Sequence, residues 1–353
     1  MTKNILHKNL DRIISVTGAH SMNIYIGLGT TCNFNCAYCP PHVHDGAVPW
    51  HDIDRLLLLL AEIRSRYAWK DNRVYNLLGG EPTSWAKLQE LCERIKAMDD
   101  RSSILIATNG SRTPRYWRDI AAYIDRCIVS VHVAQIDIEQ LNLGFKECVA
   151  GGMRLSTNIL MDINHWDKAV SDAIWMTQHG WSHYITMKPV ETMLGSNRLQ
   201  NYSSEQLAVI SGWDHTKQHS RLQACHDITI PRQLPPHDLY KFATADDQPT
   251  ELNNFQAVSL GLDRMQGWHC FLNTDKISVR TDGTVIPGDT CDQWQPLGNF
   301  LTDDPSNWDW TIAAQQCQRA RCVCGGDLDT HKFADSTAAD RYAATISARM
   351  TNK

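Results

Sequence analysis

Cys32, Cys36 and Cys39 place three thiols within eight residues, in the segment Thr30-Thr31-Cys32-Asn33-Phe34-Asn35-Cys36-Ala37-Tyr38-Cys39-Pro40. Positions i, i+4 and i+7 would share one face of a helix. Here Gly27 and Gly29 come first, Asn33 and Asn35 favour loops, and Pro40-Pro41 bars a helix from continuing. The segment therefore reads as a loop wrapped around a soft metal. Thiolates are the ligands of iron–sulfur clusters, and three of them leave one iron of a four-iron cluster without a protein ligand. That open position is where chemistry would take place. A second group, Cys270, Cys291, Cys317, Cys322 and Cys324, lies in the last quarter of the chain. Five cysteines suffice for one further four-iron cluster and not for two. Cysteines at such separations also make a tetrahedral zinc knot. From the late group, Cys322 and Cys324 beside Gly325-Gly326 are the favoured pair, with His269 as a replacement ligand. Cys92, Cys127, Cys148 and Cys225 stand alone and read as small buried apolar side chains.

The elements that must position these groups alternate along the chain. Strand candidates are Met22–Ile26, Arg73–Leu78, Ser103–Ala107, Cys127–Val133, Arg154–Met161 and His183–Met187. Helix candidates lie between them at Ile53–Arg66, Ser84–Met98, Arg115–Ile124, Asp137–Val149 and Trp166–Thr177, each with apolar residues at three- and four-residue spacing. This is the α/β class, a partial (β/α)6 parallel barrel, in which loops at the C-terminal ends of strands carry the chemistry. The cysteine loop follows the first strand. Asp282-Gly283 between Ile277–Arg280 and Thr284–Ile286 predicts a small β-hairpin. Ser204–Ile210 and Ala338–Met350 read as further helices. The expected division is residues 1–200 for the barrel, 201–267 for a connector or substrate-facing insertion with Pro235-Pro236, 268–335 for a metal-binding extension of hairpin plus helix, and 336–353 for a C-terminal helix.

Composition narrows the class. A net charge of −5 over 353 residues lacks the basic excess of a sequence-independent nucleic-acid binder, so nucleic acid is not expected as a partner. The longest apolar run, Leu56–Ala61, is far too short to span a bilayer, and no membrane partner is expected. Without a charged-then-apolar leader the expectation is a cytoplasmic protein whose twelve cysteines serve metal rather than disulfides. His42 and His44 read as solvated loop residues, and Trp50, Trp85, Trp181 and Trp268 as core or lid.

The stretch CNFNCAYC resembles the C-x3-C-x2-C motif of radical S-adenosylmethionine (SAM) enzymes, in its usual place after the first strand. The resemblance implies a [4Fe–4S] cluster with SAM at its open iron, reductive cleavage to a 5′-deoxyadenosyl radical, and abstraction of a substrate hydrogen. It implies cofactor-binding roles for Tyr38 near the adenine and for Gly79, Gly80 and Glu81, which are similar to the family's GGEP element at the SAM amino group. Asn109 in Thr108-Asn109-Gly110 is similar to the TNG turn, and Ser130, beside His132, to a SAM-contacting hydroxyl. Asn158 and Met187, the latter before Lys188, fall where the family places further contacts. Ser156-Thr157-Asn158-Ile159-Leu160-Met161 stands in place of the family's GxIxGxxE stretch. The run DGTVIPGDTC…LGNF…C resembles the twitch or SPASM extension, which implies a second, auxiliary [4Fe–4S] cluster on Cys270, Cys291 and two of Cys317, Cys322 and Cys324. On this resemblance the expected function is modification of a ribosomal peptide, with oxidation or rearrangement of a small-molecule metabolite as the alternative. A non-catalytic iron–sulfur scaffold or redox sensor is the reading from another class. The implied partners are an electron donor such as flavodoxin or ferredoxin and, because only thirty-one residues precede Cys32, a separate leader-peptide-binding protein.

Overall fold

A computed structural model describes residues 13–17, 21–193, 198–213, 240–244, 250–252, 262–289, 291, 293–322, 327–328 and 330–351. Cys225, Cys324 and most of the 201–267 connector lie outside the described residues.

The first seven strands are β1 (Ile13–Thr17), β2 (Ser21–Gly27), β3 (Asn72–Leu78), β4 (Ser102–Thr108), β5 (Arg126–Val131), β6 (Arg154–Leu160) and β7 (Tyr184–Lys188). From β2 to β7 they follow one another through the sheet in chain order, with the five helices Ile53–Arg66, Leu88–Met98, Pro114–Ile120, Ile138–Ala150 and Trp166–His179 in the crossovers. This is the α/β partial barrel that the alternation predicts. Local chemistry sets the boundaries. Asp52 accepts the Arg55 N–H to open the first helix, and Asp137 accepts those of Glu139 and Gln140 to open the fourth. Two helices are shorter than their patterns. Glu81 caps a separate 3-10 turn at Pro82–Ser84, so the second helix starts only at Leu88, and tight turns at Tyr123 and Ile124 end the third at Ile120.

By compactness the chain forms two units, residues 27–51 with 76–232, and residues 1–26, 52–75 and 233–353. In the first, β4, β5, β6 and β7 are parallel, with Ser130 level with Asn158 and Asn158 level with Thr186. Strand β5 stops at Val131 because the His132 carbonyl accepts the N–H groups of Gln135 and Ile136.

The second unit holds the remaining strands: β8 (Tyr240–Thr244), β9 (Thr250–Leu252), β10 (His269–Cys270), β11 (Lys276–Val279), β12 (Thr284–Pro287), β13 (Gly298–Asn299), β14 (Gln315–Gln316) and β15 (Lys332–Phe333). The predicted hairpin is β11–β12, turned at Gly283 with φ +86°. It is not free-standing: β11 lies parallel to β2, with Ile277 opposite Ile24. A smaller antiparallel sheet joins β1 to β8 and β15, and β10 to β14 and β15. The C-terminal helix, Ser336–Thr351, packs Ala338, Ala339, Tyr342 and Ala343 on Phe271 and Phe333. No helix among the described residues is long and apolar enough to cross a membrane.

Candidate active site

The loop that leaves β2 carries the first three thiols. Its stem is closed by backbone bonds from Thr30 N to Val48 O (3.1 Å) and from Gly46 N to Thr30 O (3.1 Å), and by the Thr30 hydroxyl bonded to Asp45 (3.1 Å). The Gly79–Glu81 segment runs against it, with Gly80 N donating to Gly29 O (2.9 Å) and Glu81 N to Thr31 O (2.8 Å). A Cβ on Gly80 would stand 2.3 Å from the Thr31 carbonyl oxygen, so only glycine permits this approach one residue before Cys32.

Glu81 is buried, 1% exposed, and its oxygens are turned inward. Oε1 accepts from Thr83 N (3.0 Å), Thr83 Oγ1 (2.5 Å) and Thr108 Oγ1 (2.6 Å), and Oε2 from Asn109 N (2.6 Å). The structure thus occupies with internal donors the carboxylate that the family pattern assigns to an ammonium. Asn109 continues the network: its amide donates to Asn33 Oδ1 (2.8 Å), Asn33 Nδ2 donates to Ser111 Oγ (2.8 Å), and Ser111 N returns to Asn109 Oδ1 (3.0 Å). The cysteine loop and the Thr108-Asn109-Gly110 turn are locked together through Asn33, whose role the spacing of the cysteines does not reveal.

Cys36 is buried, while Cys32 and Cys39 are half-buried. Burial raises the pKa of Cys32 and Cys36. It also pushes Cys39 up to about 11, with the neighbouring charges of Cys36 and Cys32 adding to the effect. Mutual repulsion of this kind means the thiols share one neighbourhood, and a cation would relieve it. The Tyr38 hydroxyl lies 2.7 Å from His132 Nδ1, the two rings stack at 9°, and Cys36 Sγ is 3.1 Å from the same nitrogen. Burial lowers the His132 pKa to about 4, so the ring is neutral at pH 7. Gln135 Nε2 stands 3.4 Å from Cys36 Sγ. The strand candidate ending at Val133 hides this arrangement, because His132 and Gln135 lie on a turn. His44 bonds the Cys39 carbonyl at 3.2 Å, and Trp50 stacks on Trp85 at 5.7 Å beside Gly29.

On the sheet, Ser130, Asn158 and Thr186 are level and half-exposed. Met187, one step beyond Thr186 in β7, is 3% exposed and lies on the opposite face from it, because a one-residue step along a strand reverses the side chain.

The second cysteine group is assembled separately. Cys270 is buried at the end of β10, and burial raises its pKa, with Cys291 among the nearby charges. Gln293 Nε2 lies 3.9 Å from Cys291 Sγ and 3.7 Å from Cys317 Sγ. Asp327 fixes the backbone here by accepting from Asp289 N (2.7 Å) and Cys291 N (3.0 Å), and Cys322 N donates to Asp263 O (2.6 Å). His269 pairs in β10. Among the described residues no three His, Cys, Asp or Glu side chains stand close enough to share a single metal ion. Cys92, Cys127 and Cys148 are buried, each with its thiol pKa raised by burial.

The model of the Radical SAM superfamily matches residues 26–146, which span the cysteine loop, Gly79–Glu81, the Asn109 turn and His132. Residues 26–146 are a radical SAM domain. The chain is 30% identical over 127 residues to a GTP 3′,8-cyclase of Actinobacillus succinogenes, covering 35% of this chain and 36% of that protein. It therefore spans little more than a third of that relative's length. It is 25% identical over 235 residues to a GTP 3′,8-cyclase of Lactiplantibacillus plantarum, covering 62% and 68%. Among solved structures, SuiB of Streptococcus suis bound to SAM superposes with a TM-score of 0.49 at 13% identity, over 81% of this chain and 65% of that one. The radical SAM family implies a [4Fe–4S] cluster and SAM, and the donor set of three neighbouring thiols suits the cluster.

Proposed function

We propose that Cys32, Cys36 and Cys39 hold the [4Fe–4S] cluster of this radical SAM enzyme and that its substrate is a small organic molecule. When bound, the reduced cluster and SAM together supply a 5′-deoxyadenosyl radical that abstracts hydrogen from a carbon. One observation carries the reading: the three thiols share one loop, and that loop is fixed at Gly29 and Thr31 by the Gly79–Glu81 backbone.

The protein's own residues prepare the site. Gly79 and Gly80 bring bare backbone to its edge, Glu81 braces the Asn109 turn from within, and Tyr38 presents a ring held by His132. Ser130, Asn158 and Thr186 offer a row of polar groups to SAM or substrate, with Met187 beside them on the other face of β7. Cys270, Cys291 and two of Cys317, Cys322 and Cys324 would hold a second cluster, with zinc as its competitor. The names of the relatives, GTP cyclases, support a small molecule over a ribosomal peptide, and a nucleotide is the first class to test. A one-electron donor of the flavodoxin or ferredoxin class would reduce the cluster in the cytoplasm.

The test is anaerobic reconstitution with iron and sulfide, followed by SAM and dithionite, with 5′-deoxyadenosine measured by mass spectrometry. Wild type should release it and the Cys32/Cys36/Cys39→Ala triple variant should not. Purine nucleotides and short peptides are then compared for consumption and for faster SAM cleavage. A well-loaded wild type that leaves SAM intact with every substrate would make the chain a non-catalytic scaffold.

A further inference from the structure

The turn after β5 places two nitrogen groups on one sulfur. His132 Nδ1 is 3.1 Å and Gln135 Nε2 is 3.4 Å from Cys36 Sγ. The imidazole cannot swing away freely. Tyr38 stacks on it at 5.9 Å, Phe34 meets it edge-on at 5.7 Å, and both belong to the cysteine loop. The His132 carbonyl accepts Gln135 N at 2.8 Å, so one backbone turn sets both side chains.

The tautomer decides what His132 can do. A neutral imidazole has a single N–H. With the proton on Nε2, Nδ1 accepts the Tyr38 hydroxyl at 2.7 Å and offers Cys36 nothing. With the proton on Nδ1, the ring can donate, and the Tyr38 oxygen at 2.7 Å and Cys36 Sγ at 3.1 Å both stand before that one N–H. A metal-bound thiolate only accepts, so ligation of iron at Cys36 favours the second form.

We propose that His132 and Gln135 are positioning residues that raise the reduction potential of the cluster by donating hydrogen bonds to its Cys36 sulfur. This rests on the ligation proposed above. Reduction adds negative charge that spreads onto the sulfurs, so donors aimed at a ligand sulfur stabilise the reduced form more than the oxidised one.

The experiment is an electron-paramagnetic-resonance-monitored redox titration of the reconstituted full chain without SAM, following the signal that Cys36→Ala removes. His132→Phe keeps a ring against Tyr38 and loses the nitrogen, and Gln135→Leu loses the amide. Both should keep the wild-type iron and sulfide content and titrate at more negative potentials. His132→Asn, whose amide nitrogen can stand where Nδ1 stood, should return toward the wild-type value. Wild-type potentials in both His132→Phe and Gln135→Leu would overturn the inference. Should His132→Phe fail to load, Gln135→Leu decides. If His132→Asn titrates with His132→Phe, ring packing rather than the hydrogen bond is responsible, and the His132 part fails. A wild type with no Cys36-dependent signal would instead overturn the ligation itself.

Discussion

Glu81 and Gly80 show how one short stretch divides its duties. The Glu81 carboxylate accepts four hydrogen bonds, three of them at Oε1, and its partners Thr108 and Asn109 lie 27 and 28 residues further on. A glutamine there has one oxygen and must aim its NH2 group at donors. Glu81→Gln should therefore destabilise the apo protein by about 2 kcal/mol, on the scale of hydrogen bonds to charged groups, seen as an earlier urea midpoint with an unchanged slope. A midpoint equal to wild type would show that the carboxylate is not the brace. Gly80→Ala has a different signature. Its Cβ must push the Thr31 carbonyl away, so the variant should fold less stably and retain clearly less iron after reconstitution. Gly79-Gly80-Glu81 is legible in the sequence as a site because of its spacing from Cys32. The inward direction of Glu81 is not, since nothing local announces a hydroxyl and an amide arriving from the next strand. Asn33 and Gln135 are hidden for the same reason: each finds its partner across the fold.

At the scale of elements, the alternation of apolar patterns places β2 to β7 and their helices within a few residues, because each buries one face against its neighbours. Strand β1, missed together with β8, β9, β10 and the two-residue strands β13, β14 and β15, pairs with β8 and β15 from the far end of the chain, and its five residues carry no pattern strong enough to stand alone. Register is the other quantity that periodicity leaves open. The ladder aligns Ser130, Asn158 and Thr186 on one face and turns Met187 to the other. Asn158→Ala and Thr186→Ala should each weaken SAM binding to the reconstituted protein, by up to about tenfold for the loss of roughly 1.4 kcal/mol, as titration calorimetry would read. Met187→Leu should bind SAM as wild type does and cost less than about 1.5 kcal/mol of stability. The opposite result would put the binding face on the Met187 side. The second cysteine group makes a prediction at this same scale. Gln293 ties Cys291 to Cys317 and Asp327 anchors the Cys291 backbone, an arrangement separate from the first loop. The Cys32/Cys36/Cys39→Ala variant should then still contain iron and sulfide, in an amount that Cys270→Ala abolishes. Zinc in place of iron would make this region a structural knot.

Over the whole molecule, the unit that contains the C-terminal cysteines is stitched from three stretches of chain, and a buried charge cluster is one of its seams. Lys70, after the first helix, meets Asp275 Oδ1 at 2.7 Å, and His331 Nδ1 meets Oδ2 at 2.6 Å, with Lys70 and Asp275 each 3% exposed at the side chain. Tyr342 of the terminal helix stacks on His331 at 4.6 Å. No sequence pattern pairs residues 205 positions apart, so the seam is invisible until the chain is folded. Burial alone would raise the pKa of Asp275, but the charges of His331 and Lys70 and their hydrogen bonds outweigh it and hold the carboxyl well below the usual range. A folded pKa below the unfolded value gives stability that is complete above the unfolded Asp pKa, about 3.9, and is lost as pH falls from there through the folded value. Asp275→Asn removes the buried carboxylate charge that Lys70 Nζ meets at 2.7 Å and should cost about 3–5 kcal/mol at pH 7. Urea denaturation of both proteins from pH 7 down to pH 3 separates this effect from simple packing loss. Wild type should lose stability faster than the variant below about pH 4. Two curves that stay parallel through that range would mean that Asp275 contributes by shape and not by charge.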